Sequence, residues 1–158
     1  MTDYQYLFRY HFDTTARLLE GAASLSEADR HTRPDYSLRS IHDLFVHLLG
    51  TSRGWRIGME SGSQPASLDA DQYQRLSVVR EGLEQERSAW AALLEALSDS
   101  QIAEGVELTS TSGAVFPVVR WRVLQHLILH GMQHHAEIAQ MLTNLGQSPG
   151  DLDVIFYR

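Results

Sequence analysis

The 158 residues contain no cysteine and no lysine, and only four prolines. The first absence excludes disulfides, thiolate metal ligands and a protein-borne sulfur nucleophile, so any sulfur chemistry must use an external thiol. The second leaves thirteen basic side chains, all arginine, scattered without a run among twenty acidic ones. A formal charge of −7 with no basic patch disfavours nucleic-acid binding. Long apolar runs are also missing: none approaches the ~20 residues that span a bilayer. The segment Met1-Thr2-Asp3-Tyr4-Gln5-Tyr6 has neither a basic nor an apolar stretch, so a cytoplasmic location is expected and a membrane role is not.

A hydrophobic content of 43% suits one domain over residues 1–158, large enough to bury a core without staples. Apolar residues at Tyr4, Leu7, Phe8, Leu18, Leu19 and Ala22 recur at helical spacing and predict a first helix over about 3–22. His11 and Thr15 fall within its stripe. A connector follows, with one possible turn marked by Ser26-x-x-Asp29 and a breaker at Pro34. Ile41, Leu44, Leu48, Thr51 and Trp55 share one side of a second helix from Leu38 to about Trp55. The Gly- and Ser-rich residues 58–67 form the longest connection, after which Asp69 and Asp71 can cap a third helix running to about Leu97.

Residues 106–109 and 114–116 flank Ser110-Thr111-Ser112-Gly113 and could form a small hairpin. Pro117 suits the first turn of a fourth helix over about 118–145, which Gly146 ends. Four amphipathic helices of similar length predict an all-α, up-down four-helix bundle, a fold that builds metal sites from facing helices.

The chemistry lies in the eight histidines. Side chains at i and i+4 project from one helix face a turn apart, so two imidazoles so placed can converge on one cation. At 100° per residue His130 and His134 both fall inside the apolar band of the fourth helix, with His126 and His135 at its margins. His126 with His130 is the competing pair, because His126 and His134 are about 12 Å apart along the axis, too far for one ion. A helix supplies two ligands and an enzyme metal usually takes three, so the third comes from elsewhere; His47, bordering the stripe of the second helix, leads. The plainer reading makes these core histidines satisfied by water or a neighbouring side chain.

Further residues could contact a substrate or support the ligands. His11 could face the same cavity, and His126 could sit beside it. Asp43, one turn before His47, could orient that imidazole or merely serve the helix N-terminus. Glu137 could act as a general base, an exposed ion-pairing glutamate being the simpler reading. Trp55, Trp90 and Trp121 read as core or rim aromatics, with Trp55 also placed to contact a substrate beside the metal, and His31 and His42 as solvated loop and surface residues.

Two segments carry a wider likeness. Ser40-Ile41-His42-Asp43-Leu44-Phe45-Val46-His47-Leu48-Leu49 is followed two turns on by Trp55, and His126-Leu127-Ile128-Leu129-His130-Gly131-Met132-Gln133-His134-His135-Ala136-Glu137-Ile138 by Leu145-Gly146 and a Pro149…Asp153 tail. This pattern resembles the DinB/YfiT-like family of metal-dependent four-helix-bundle proteins over nearly the whole chain. The resemblance implies a bundle, often a homodimer, with a divalent metal held by His47, His130 and His134. It departs where the family often has His-Arg-Gly-Gln-Ile and this chain has His134-His135-Ala136-Glu137-Ile138, so the family's arginine and glutamine roles do not carry over.

Some relatives resemble thiol-dependent S-transferases that use bacillithiol or mycothiol, and others resemble isomerases. The leading expectation is a metal-dependent S-transferase in detoxification or stress response, with zinc or nickel as the ion and a low-molecular-weight thiol beside the small-molecule substrate. The alternatives are a metal-dependent hydrolase that activates water and a non-enzymatic metal-binding stress protein.

Overall fold

Each long helix follows from its buried stripe and its ends. The computed structural model describes residues 3–158. In α1 (Asp3–Ala23), Phe8, Phe12, Leu18, Leu19 and Ala22 face inward. The connector holds one short helix, α2 (Glu27–His31), capped as predicted by Ser26, whose hydroxyl accepts the Asp29 N–H. α3 (Ile41–Ser61) starts in a reciprocal cap between Ser40 and Asp43 and stops at Gly62, whose φ of 76° lies in the left-handed region. It runs a turn and a half beyond the predicted end.

The aspartates before the third long helix do something other than expected. Asp69 caps a short 3₁₀ turn, Ala70–Tyr73, and α4 (Leu76–Ala96) begins only after it. A second short helix, α5 (Asp99–Ala103), was not anticipated, although Ser98-x-x-Gln101 forms a full capping box there. The hairpin is present: β1 (Gly105–Thr109) pairs antiparallel with β2 (Val115–Val119). Pro117 lies within β2 opposite Glu107 rather than in a helix. A two-stranded ribbon has only edge strands, which tolerate a missing N–H. The last long helix, α6 (Arg120–Asn144), therefore starts three residues after that proline.

These helices form the expected four-helix bundle, but their order departs from a simple up-down succession. α1 runs antiparallel to α4, with Phe8 on Trp90 and Asp13 paired to Arg87, and parallel to α6, with Thr15 bonded to His135 and Gly21 beside Leu142. α3 runs antiparallel to α6, since His47 meets His130 while Trp55 meets His126. It follows that α3 and α4 are parallel. Residues 62–75, extended at about 3.3 Å each, can return the chain along a 21-residue helix of about 31 Å. α1 and α3 each pack against both α4 and α6, and so face one another across the diagonal.

Two apolar clusters fill the interior. One gathers Leu18, Leu44, Phe45, Ile138 and Leu142, the other Phe8, Phe12, Trp90, Val123 and Leu124. Each such side chain contributes roughly 1.5–3 kcal/mol of burial. Polar atoms at the α3–α4 seam are paired: the Trp90 N–H donates to Ser52 Oγ at 2.9 Å, and Arg56 forks onto buried Glu86 at 2.7 Å. Among the described residues no helix is long and apolar enough to cross a membrane.

Candidate metal centre

The antiparallel packing of α3 on α6 brings the spaced pair His130 and His134 together with His47, the leading third candidate. One ring nitrogen from each of His47, His130 and His134 lies within 4.8 Å of the others. His47 Nε2 and His130 Nε2 are 3.1 Å apart, and the His134 ring sits 4.9 Å from His47 and 4.5 Å from His130. The i, i+4 pair comes from one face of α6 and the third ring from across the seam.

Charge and hydrogen bonding prepare these rings differently. Burial, reinforced by Arg39 and His134, pushes His47 down to about 4. Burial together with His134 and His47 does the same to His130, also to about 4. Both rings are neutral at pH 7, the form that offers a lone pair. The His134 Nδ1–H donates to Glu137 at 3.1 Å, which leaves Nε2 as the free acceptor. Glu137 is in turn held by the Ser37 hydroxyl. Three imidazoles with converging nitrogens, one backed by a carboxylate, are a donor set that fits a divalent cation such as zinc or nickel.

The other residues named from the sequence fall elsewhere. His126 is exposed on α6, its ring 5.3 Å from His130 and 5.6 Å from Trp55, which lines the rim. Asp43 accepts the Ser40 N–H in its capping box, the plainer of its two roles. Glu137 is neither free nor merely ion-paired: it supports His134. His11 does not face the cavity of the triad; its ring is buried and stacks on His135 at 4.9 Å.

His135, placed by the helical wheel at a margin, is fully buried against α1. His42, expected at the surface, is 3% exposed because its Nε2 bonds the Tyr73 carbonyl at 2.7 Å. His31 is exposed as expected and lies beside it, the ring centroids 4.3 Å apart. Trp90 is a core residue, and Trp121 lies at the surface under the Arg122 guanidinium.

Ser37 and Arg39 were missed. Both lie in the loop before α3, where no periodicity shows what they face. A cleft of about 430 Å³ was missed for the same reason: it opens between α3 and residues 64–68, with His47 and Trp55 on its wall.

Fold and site together define a helical bundle with a histidine triad that could bind a metal. The chain belongs to the DinB family, which it matches over residues 1–158. Among solved structures it is similar to YfiT from Bacillus subtilis, a probable metal-dependent hydrolase with an unusual four-helix bundle topology. That likeness has a TM-score of 0.69 at 14% identity over 92% of this chain and 90% of YfiT. It is similar also to YjoA, a DinB-like protein of Bacillus subtilis, with a TM-score of 0.69 at 17% identity over 92% of this chain and 93% of that one. At such identities the likeness is one of fold. No curated protein matches the chain.

Proposed function

We propose that the chain is a metal-dependent S-transferase, with His47, His130 and His134 as the ligands of a divalent ion and a low-molecular-weight thiol as co-substrate. The observation that carries this reading is the convergence of three ring nitrogens within 4.8 Å. Bound there, the ion supplies Lewis acidity that favours the deprotonated form of a thiol or a water. Neutral His47 and His130 offer lone pairs at physiological pH, and Glu137 fixes the tautomer of His134. The cleft has His47 on its wall, so a small molecule held there lies beside one of the three rings. In the transfer, the thiolate sulfur forms a bond to an electrophilic carbon as that carbon's leaving group departs with the bonding pair. The thiol proton goes to solvent.

The same site supports a second reading, hydrolysis, favoured by the likeness to YfiT. Against it stands the engagement of Glu137 by both His134 and Ser37, which leaves this carboxylate poorly placed to take a proton from water. The two readings part in a simple assay. Untagged protein loaded with zinc or nickel is expected to conjugate monobromobimane to N-acetyl-L-cysteine faster than the uncatalysed rate, and to lose that activity on chelation. Cleavage of 4-nitrophenyl acetate without thiol, with no conjugation, would select the hydrolase. Neither activity, with metal removal lowering only the melting temperature, would leave a metal-binding protein without catalysis.

A further inference from the structure

The cleft beside the triad has an uneven lining. Along α3 its floor includes Gly50 and Gly54, and the position a Cβ would take at Gly54 has nothing within 4 Å, so backbone rather than side chains forms that part of the wall. Thr51, Gln64 and Thr111 add polar groups, and Arg53 is the one charged side chain of the lining. Arg53 is partly buried, yet among the described residues no carboxylate pairs with it. Four other arginines are paired with carboxylates: Arg56 with Glu60 and Glu86, Arg80 with Glu20, Arg87 with Asp13, Arg120 with Glu104. Arg39 is likewise partly buried without a carboxylate partner among the described residues; what sets Arg53 apart is its place on the wall of the cleft.

A guanidinium presents a planar fork that matches a carboxylate in two parallel hydrogen bonds. Arg53 lies six residues past His47, about 9 Å along the axis of α3. A small molecule in the cleft can thus place one end at Arg53 and the other at His47. The neutral walls on either side hold no acidic group to compete for the charge.

We infer that the cleft takes a small carboxylate-bearing molecule, its carboxylate on Arg53 and its reactive end at His47, so that anionic substrates are selected over neutral ones. This rests on the transferase reading for the identity of the reactive end, but not for the recognition of the anion. The carboxylate could belong to the thiol or to the electrophile it attacks; the chemistry at Arg53 is the same.

Calorimetric titration of zinc-loaded protein tests it with three probes: N-acetyl-L-cysteine, its amide, and S-methyl-N-acetyl-L-cysteine. The acid should bind about tenfold more tightly than the amide, the size of one charge-assisted contact. Arg53→Gln should bring the acid down to the amide's affinity while zinc content, melting temperature and amide binding stay as in the parent. Equal binding of acid and amide by the parent protein overturns the inference, as does Arg53→Gln weakening both alike, or no binding of either at millimolar concentration.

The S-methyl probe separates the two sources of the anion. Weaker binding than the free thiol makes the thiol the ligand of the cleft. Equal binding removes the support for the thiol while the carboxylate site stands, with the second substrate as its occupant. Should the chain hold no metal, the acid and amide are compared on the metal-free protein, so the two ideas fail separately.

Discussion

Helix α6 carries two adjacent histidines that look in opposite directions, and their surroundings differ in kind. His134 faces α3, where its ring joins those of His47 and His130 and a carboxylate backs its Nδ1. His135 faces α1, where its ring stacks on His11 at an angle of 22° and its Nε2–H donates to Thr15 Oγ1 at 2.8 Å. The direction of that bond follows because the Thr15 hydroxyl already donates to the His11 carbonyl. Burial holds His11, His135, His47 and His130 all below the ordinary histidine range. A depressed pKa therefore does not mark a ligand. Nitrogens that converge beside a cleft do.

The largest effect that could break this contrast is loss of metal. Alanine at His47, His130 or His134 should weaken zinc or nickel binding by more than about a hundredfold, beyond the range seen for supporting residues. Metal analysis of untagged protein checks this, and His126→Ala should keep its metal. Next comes the carboxylate: Glu137→Gln should lower metal affinity about 10–100-fold, measured by competition with a chromogenic chelator, with little change in the fold.

On the α1 side the contrast predicts stability effects instead. A Cβ at Gly131 would collide with the His11 ring, so Gly131→Ala should cost about 1–3 kcal/mol and lower the melting temperature by a few degrees. His11→Ala should relieve much of that loss in the double variant, a coupling absent between Gly131 and the more distant Trp121.

The smallest effect is in pH. His11, pushed down to about 4 chiefly by burial and further by His130, stays neutral in the folded chain while an unfolded histidine takes up a proton near 6.5. Between those values the unfolded state binds more protons, so this contribution is whole above pH 6.5 and is lost as pH falls toward 4. The loss at pH 6 is about 1 kcal/mol by urea denaturation, and the slope should be shallower in His11→Phe.

The bundle was legible because each long helix buries one continuous stripe, and the His130–His134 pair because i, i+4 geometry is local, while His47 came from the margin of another stripe and from the family resemblance. What failed was whatever depends on a second neighbour. A helical wheel gives α6 one inward face, but α6 packs against both α1 and α3, so His135 at the wheel's margin became the most buried of its histidines. His42 is covered by the Ala70–Tyr73 turn, which no period announces. Pro117 carries the same preferred φ in an edge strand and in a first helical turn, so only the register of the hairpin decided it. The signature at Ser98-x-x-Gln101 was readable, whereas the reach of Ser37 to Glu137 across the fold was not.

The contact between His47 and His130 joins residues 83 apart in the chain. In the unfolded ensemble nothing keeps them near one another, and the entropy of closing that loop is met only when α3 docks on α6. An ion shared across the seam would act as a clasp on that docking. Each tenfold rise in free ion above its dissociation constant adds about 1.4 kcal/mol to the folded state. Under metal starvation the bundle would then open more often at this seam, and proteolytic turnover of the protein would rise.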